Sequence, residues 1–117
     1  MEYLNSKLKG EQLSSVEFVQ DYLQLHFDGP RLTLYIWPIV INENRKFSYG
    51  DIEYRNQLCN IISKKVIDLY IKENEILKLF FDDNKCLELN LDPSNPNIIA
   101  EIGFFEDPSD NSWIAFE

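Results

Sequence analysis

A repeat of about 54 residues is the strongest constraint that this sequence places on its own fold, because related segments tend to form related structural units. Shifting the chain by 54 aligns DYLQLHFD at residues 21–28 with EILKLFFD at residues 75–82, so that Leu, Leu, Phe and Asp recur in register. At an offset of 55, LTL at residues 32–34 falls on LEL at residues 87–89. The sequence therefore predicts two similar units, over residues 4–37 and 58–91.

Each unit has the alternating pattern that places every second side chain on one face of a β-strand. In the second unit the alternating apolar positions are Ile67, Leu69, Ile71, Leu77, Leu79, Phe81, Leu87, Leu89 and Leu91. In the first unit they are Val16, Phe18, Leu23, Leu25, Phe27, Leu32, Leu34 and Ile36. The turn at Asp28 and Gly29 suits a tight hairpin, because glycine accepts a positive φ. Each unit is thus predicted to form a three-stranded antiparallel meander.

One helix, from about residue 51 to residue 63, is predicted between the repeats. Ser48 and Asp51 resemble a capping box at its start. Apolar side chains then recur at helical spacing, at Tyr54, Leu58, Ile61 and Ile62. Residues 2–9 are predicted to form a truncated copy of this helix that ends at Gly10, and there Leu4 and Leu8 match Leu58 and Ile62.

The carboxyl-terminal segment is predicted to form a strand pair. A loop at residues 92–97 contains two prolines, which cannot donate to a β-ladder. Strands are expected at residues 98–105 and 112–116.

The predicted fold class is therefore α+β, mainly β: two repeated three-stranded antiparallel meanders, one helix and a C-terminal strand pair, in a single domain over residues 1–117. A chain of 117 residues that is 44% hydrophobic can bury one core. Two meanders with one apolar face each can pack together as a sandwich or a partly closed barrel. A single long curved sheet around the helix is the alternative.

Charge is distributed unevenly along the chain. The last 32 residues carry seven acids and no lysine or arginine, and the whole chain has a net charge of −9. A patch of one sign attracts cationic partners and repels polyanions. We therefore expect a basic protein partner, and neither nucleic acid nor a membrane surface.

The inventory of reactive groups does not favour an enzyme. His26 is the only histidine, and it lies on the polar face of a predicted strand. Cys59 and Cys86 are too far apart for a zinc site or a disulfide framework. Glycine-rich nucleotide motifs do not occur in the sequence. We predict no catalytic residue, no metal and no cofactor.

Aromatic side chains concentrate on the second face of the first meander. Thr33, Tyr35 and Trp37 alternate with the apolar residues of one strand, and the neighbouring strand presents Tyr22, Gln24 and His26 in the same direction. This surface is either covered, as a second small core, or exposed as an aromatic patch that anchors another protein. Trp113, near the acidic end, presents the same choice.

In its size, its charge asymmetry and several segments, the chain resembles the small acidic immunity proteins of bacterial toxin systems, including those of contact-dependent growth inhibition. The segments are a short leader that ends at Lys9 and Gly10, VEF at residues 16–18, YLQLHFDG at residues 22–29 and LKLFFDD at residues 77–83. The resemblance implies a stoichiometric inhibitor that covers the active site, or an adjacent surface, of a basic toxin domain, often a nuclease.

The resulting hypothesis is a non-enzymatic, cytoplasmic inhibitor that binds a basic protein. Its predicted partner-binding residues are Glu101, Glu106, Asp107, Asp110, Trp113, Tyr35 and Trp37. One alternative is a regulatory or structural module, which includes self-association as a homodimer. Another is a small-molecule binding domain, or a carboxylate enzyme, with a cavity between the meanders.

Overall fold

The computed structural model describes residues 2–98 and 101–116, and within those ranges the chain forms ten strands and two short helices. The elements are α1 (Glu2–Leu8), β1 (Leu13–Val19), β2 (Tyr22–Phe27), β3 (Arg31–Leu34), β4 (Ile39–Asn42), β5 (Arg45–Phe47), α2 (Tyr54–Cys59), β6 (Val66–Lys72), β7 (Ile76–Phe81), β8 (Lys85–Asn90), β9 (Gly103–Asp107) and β10 (Ser112–Phe116). Neither helix has the length and apolar character needed to cross a membrane.

The strands form two antiparallel five-stranded sheets, which confirms the predicted mainly β, α+β class. Sheet one has the order β1-β2-β3-β9-β10, and sheet two has the order β5-β4-β8-β7-β6. Both predicted meanders are present, as β1-β2-β3 and β6-β7-β8. The apolar faces of both sheets contribute to one hydrophobic cluster, as expected for a sandwich.

The hairpin of β4 and β5 was not predicted. It turns at Glu43 and Asn44, which both have positive φ, at 50° and 69°. Two consecutive positive φ values are typical of the type I′ turn, which follows the twist of a two-stranded ribbon. The hairpin adds two strands between the first meander and α2.

Each sheet is completed by a hairpin from the other half of the chain. The hairpin that follows the first meander joins sheet two, where Val40 of β4 pairs with Leu87 of β8. The hairpin that follows the second meander joins sheet one, where Phe105 of β9 pairs with Leu32 of β3. The two halves of the chain therefore exchange equivalent elements, and neither half contains a whole sheet.

The junction between each helix and the following strand shows the same internal symmetry. The amide of Gly10 donates to the carbonyl of Val66 at 2.7 Å, and the amide of Ser63 donates to the carbonyl of Leu13, also at 2.7 Å. Gly10 and Ser63 have φ values of 88° and 79°. An offset of 53 therefore relates the two junctions, and they pair reciprocally with each other.

A β-bulge lies at the equivalent position near the start of the first strand of each unit, so the offset of 53 is the same before and after it. Register shifts occur between Leu13 and Ser15 in β1 and between Val66 and Asp68 in β6. The prediction that Ile67 shares a buried face with Leu69 is wrong, because the bulge exposes Ile67 and Val66 is buried in its place.

The helices are shorter than their apolar patterns suggest. The correspondence between the two helices also differs from the prediction, which matched Leu8 with Ile62. At the offset of 53, Leu8 corresponds to Ile61, and both of these side chains are fully buried. The helix predicted for residues 51–63 spans only Tyr54–Cys59. Beyond it, the amides of Ile61 and Ile62 donate to carbonyls three residues back, so the chain continues as tighter turns.

The last strand agrees with its predicted range of 112–116. The preceding strand begins at Gly103 and extends to Asp107, whereas residues 98–105 were predicted. Residues 99 and 100 of that prediction lie outside the described residues.

Candidate functional site

The outer face of sheet one carries a continuous set of aromatic and polar side chains. The cross-strand register shows which residues belong to this face, because residues directly opposite each other in an antiparallel pair point to the same side of the sheet. One row across the sheet runs Ser15, His26, Arg31, Glu106 and Trp113. The next row runs Glu17, Gln24, Thr33, Phe104 and Ala115. We call Tyr22, Tyr35, Phe104 and Trp113 the aromatic face.

The rings of the aromatic face are paired. Trp113 stacks on Phe104 with ring centroids 5.7 Å apart, and its side chain is nevertheless 65% exposed. Tyr35 meets Tyr22 edge-on at 6.0 Å and is 40% exposed. Ring pairs of these geometries are favourable, so each exposed ring is held in place by a neighbour on the same face.

Polar pairs fill the area between the rings. Arg31 forms an ion pair with Glu106 on the neighbouring strand. The imidazole of His26 lies 3.1 Å from Glu17, and the Gln24 amide donates to the buried hydroxyl of Thr33 at 3.1 Å. The predicted position of His26 on the polar face of its strand, beside Tyr22 and Gln24, is confirmed by this register.

Most of the predicted partner-binding acids lie at the β9-β10 end of this sheet, and cations already engage three of them. Glu106 is held by Arg31, and Lys7 of α1 contacts both Asp107, at 3.2 Å, and Asp110. Glu101 is exposed, whereas Asp107 is buried.

The bonds at the β9-β10 turn shift the titration of its groups. The hydroxyl of Ser109 donates to Asp107 at 2.7 Å and holds the pKa of that carboxyl below its ordinary value. The ammonium of Lys7 lowers the pKa of Asp110 from 3.8 to about 2. The same two carboxylates, Asp110 above all, raise the pKa of Lys7. This cluster is charged at neutral pH and ties α1 to the last hairpin.

Trp37 does not join the aromatic face, although alternation predicted that it would. Strand β3 ends at Leu34, so the alternation stops before Trp37. The indole is half-buried between Tyr49, at 4.5 Å, and Phe18, at 6.5 Å. It belongs to a second aromatic cluster beside α2.

The outer face of sheet two is more apolar than the sequence indicated. Ile41 and Phe80 flank the buried Cys86 in one row, and the exposed Ile67 lies beside them around a concavity of about 580 Å³. Burial raises the pKa of the Cys86 thiol to about 11, so the thiol stays protonated. Comparison of the repeats indicates that this face is more apolar than its counterpart, because the outward residues His26 and Arg31 of sheet one correspond to Phe80 and Cys86 of sheet two.

The carboxylates at the edge of this surface are mostly engaged by other side chains, and its rings are the part that stays exposed. Among the described residues, no three His, Cys, Asp or Glu side chains come close enough to hold a metal ion. The carboxylates at the β9-β10 turn are held by hydrogen bonds from Lys7, Ser109 and Ser112. What remains available on sheet one is a ring-bearing surface with carboxylates between and beside the rings.

Comparison with protein-family models, curated proteins and solved structures finds no match to this chain.

Proposed function

We propose that the protein is a non-enzymatic inhibitor that binds a basic protein through the aromatic face, as an immunity protein binds a nuclease-type bacterial toxin. The observation that carries this proposal is the exposure of Trp113 and Tyr35 on one sheet surface, each supported by a second ring. Tyr and Trp are the residues that most often dominate the binding energy of protein interfaces.

The internal repeat supports assigning binding to an outer face. The inward residues of the central strands are alike in both repeats, with Leu23, Leu25 and Phe27 matching Leu77, Leu79 and Phe81. The outward residues of the same strands differ, since Tyr22, Gln24 and His26 correspond to Ile76, Lys78 and Phe80. The shared scaffold explains the inward set, and the outward set is free of that constraint and can serve recognition.

Charge favours a basic partner for this face. The chain has a net charge of −9, and the Arg31 guanidinium on the face is already paired with Glu106. Glu17 and Glu101 are exposed. Glu101 lies next in sequence to Ile102, whose carbonyl accepts a hydrogen bond from the amide of Tyr35, so it is close to the backbone of Tyr35. A nuclease presents cations to its polyanionic substrate, and carboxylates around aromatic anchors complement such a surface. The inhibitor would act in the cytoplasm of the bacterium that makes it.

Co-expression with the domain encoded by the neighbouring gene, which the proposal expects to be a toxin domain, tests the proposal. We expect the wild-type chain to restore growth of a bacterial host that expresses the toxin domain. Trp113→Ala is expected to weaken binding by tenfold or more, because a truncated aromatic hot spot costs at least about 2 kcal/mol. Binding should also weaken as salt is raised, since the attraction is screened.

Tyr70→Ala is the matched control. Tyr70 is 49% exposed and lies on the outer face of sheet two, and its loss should leave binding unchanged. The proposal is wrong if the neighbouring gene encodes no toxic domain, or if Trp113→Ala protects the host as well as the wild-type chain does.

A further inference from the structure

A groove lined by aromatic rings lies between the end of β1 and α2, and none of its rings belongs to the aromatic face. It has a volume of about 280 Å³ and is lined by Phe18, Val19, Gln20, Trp37, Tyr49, Tyr54 and Arg55. A second groove of about 320 Å³ adjoins it and shares Tyr49, Tyr54 and Arg55. The two grooves therefore share part of their walls.

Stacked rings form the wall of this site. Phe18, Trp37 and Tyr49 form a row in which consecutive rings are nearly parallel, at interplanar angles of 15° and 26°. The row continues into Tyr54, which meets Tyr49 edge-on at 6.0 Å. The Tyr54 hydroxyl donates to the carbonyl of Pro38, so the base of the site is fixed to the chain that follows β3.

The apolar side chains at the rim of the site are unusually exposed. Tyr49 is 61% exposed, and Ile52, in the lining of the second groove, is 98% exposed. Large apolar side chains that remain in water beside a groove are typical of a surface that another molecule covers.

The charge at the first groove is positive, opposite in sign to the net charge of the protein. Arg55 is the only charged residue lining the first groove, and its guanidinium lies 6.0 Å from the Phe18 ring centroid. Within residues 2–98 and 101–116, Arg55 forms no ion pair. Asp51, which lines the second groove, accepts the amide of Ser48 at 2.7 Å. The guanidinium is thus available to an acidic group of a ligand.

We infer that the paired grooves beside Trp37 and Tyr49 bind a proline-containing peptide segment in the polyproline II conformation, with an acidic residue placed on Arg55. Polyproline II has three residues per turn and a rise of about 3.1 Å, so prolines three positions apart project from one side about 9 Å apart. Recognition of such helices uses aromatic-lined grooves, and the two adjoining grooves with their shared rings Tyr49 and Tyr54 offer places for two prolines.

The inferred site does not depend on the proposed inhibitor function. None of its lining residues belongs to the aromatic face, and its charge preference is for an acidic ligand, whereas the aromatic face is proposed to bind a basic one. The peptide would come from a second protein or from a disordered tail of the same partner.

Calorimetric titration of the full chain with a blocked synthetic peptide tests this inference. The peptide carries two prolines three positions apart followed by an aspartate. We expect saturable binding to the wild-type chain and no binding of a matched peptide with both prolines replaced by alanine. A peptide with lysine in place of the aspartate should bind at least tenfold more weakly, because it cannot pair with Arg55.

The variants are made at two exposed positions, Tyr49 and Arg55, so we expect them to fold as the wild-type chain does. Tyr49→Ala should weaken binding of the proline peptide at least tenfold, and Arg55→Glu should reverse the preference between the aspartate and lysine peptides. Trp113→Ala and Tyr70→Ala should leave the titration unchanged. The inference is overturned by absence of binding at about 1 mM peptide, by equal binding of the alanine peptide, or by an unchanged affinity in Tyr49→Ala.

Discussion

Lys7 joins the first helix to the last hairpin, a contact between residues 100 positions apart in sequence. Its ammonium binds Asp107 and Asp110, and it lowers the pKa of Asp110 from 3.8 to about 2. A carboxyl whose pKa is lower in the folded state stabilises the fold above the unfolded pKa, and that stabilisation is lost as pH falls towards the folded value. The contribution is therefore complete above about pH 4 and disappears towards pH 2.

Lys7→Met should accordingly lower the melting temperature at pH 6 and have little effect at pH 2. Thermal unfolding followed by circular dichroism at several pH values measures the difference. Lys9→Met is the control, because Lys9 is an exposed neighbouring cation that makes no ion pair in the described part of the chain. An equal destabilisation by Lys7→Met at both pH values would contradict this account.

Gly103 is a position in sheet one where the two halves of the chain are tightly packed. A Cβ at this position would lie 2.8 Å from the carbonyl oxygen of Thr33 and would overlap the Phe116 ring. Backbone cannot move aside as a flexible side chain can, so we expect Gly103→Ala to lower the free energy of unfolding by about 1–3 kcal/mol. Denaturant unfolding measures this.

The control for Gly103→Ala is Ala115→Ser, because Ala115 lies on the outer face of the adjacent strand and is only partly buried. It should change stability by less than about 0.5 kcal/mol. Equal stability of Gly103→Ala and the wild-type chain would show that β9 can move away from β3.

At the level of elements, the two helix-to-strand junctions offer an internal comparison. Gly10 and Ser63 occupy equivalent positions with φ values of 88° and 79°, and only glycine adopts such values without steric cost. Ser63→Gly should therefore stabilise the protein by about 0.5–1 kcal/mol, after allowance for the extra freedom of glycine in the unfolded chain.

The reciprocal change, Gly10→Ser, should destabilise the protein by a similar amount. Denaturant unfolding of both variants and of the double exchange provides the measurement, and the double exchange should lie near the wild-type stability. Destabilisation by Ser63→Gly would mean that the serine side chain makes a contribution that outweighs its backbone strain.

The alternation of apolar residues was enough to predict the meanders, because a strand with one buried face repeats every two residues. It failed where the backbone departs from that period. The bulge in β6 exposes Ile67, and the end of β3 at Leu34 turns Trp37 away from Tyr35. The β4-β5 hairpin was missed because its turn consists of Glu43 and Asn44, without a glycine.

The candidate site was only partly accessible to sequence reasoning for a similar reason. Alternation within one meander placed Tyr22 and Tyr35 on the same surface. The support of Trp113 by Phe104, and the proximity of both to Arg31, depend on the pairing of β9 with β3 across some seventy residues of sequence. Local periodicity does not specify which strands pair with each other, so the exchange of hairpins could not be predicted from it.

For the whole molecule, that exchange redistributes charge as well as strands. The acid-rich end of the chain is placed beside cations from the first repeat, with Arg31 on Glu106 and Lys7 on two aspartates. The lopsided charge of the sequence is therefore partly compensated in three dimensions. Sheet one therefore presents the rings of the aromatic face to a partner, together with the exposed carboxylates of Glu17 and Glu101.

The exchange also makes a prediction about cooperativity. A tandem repeat whose units fold separately can unfold in two steps, whereas here each sheet needs a hairpin from the other half of the chain. The chain has two tryptophans, Trp37 at the end of the first repeat and Trp113 in the last strand, so Trp113→Phe and Trp37→Phe each leave one local reporter. Each variant should unfold in one transition, with its Trp fluorescence and its far-ultraviolet circular dichroism giving the same denaturant midpoint. A fluorescence transition that precedes the loss of strand signal in either variant would mean that one sheet can open while the other stays folded, and the exchanged hairpins would then not couple the repeats.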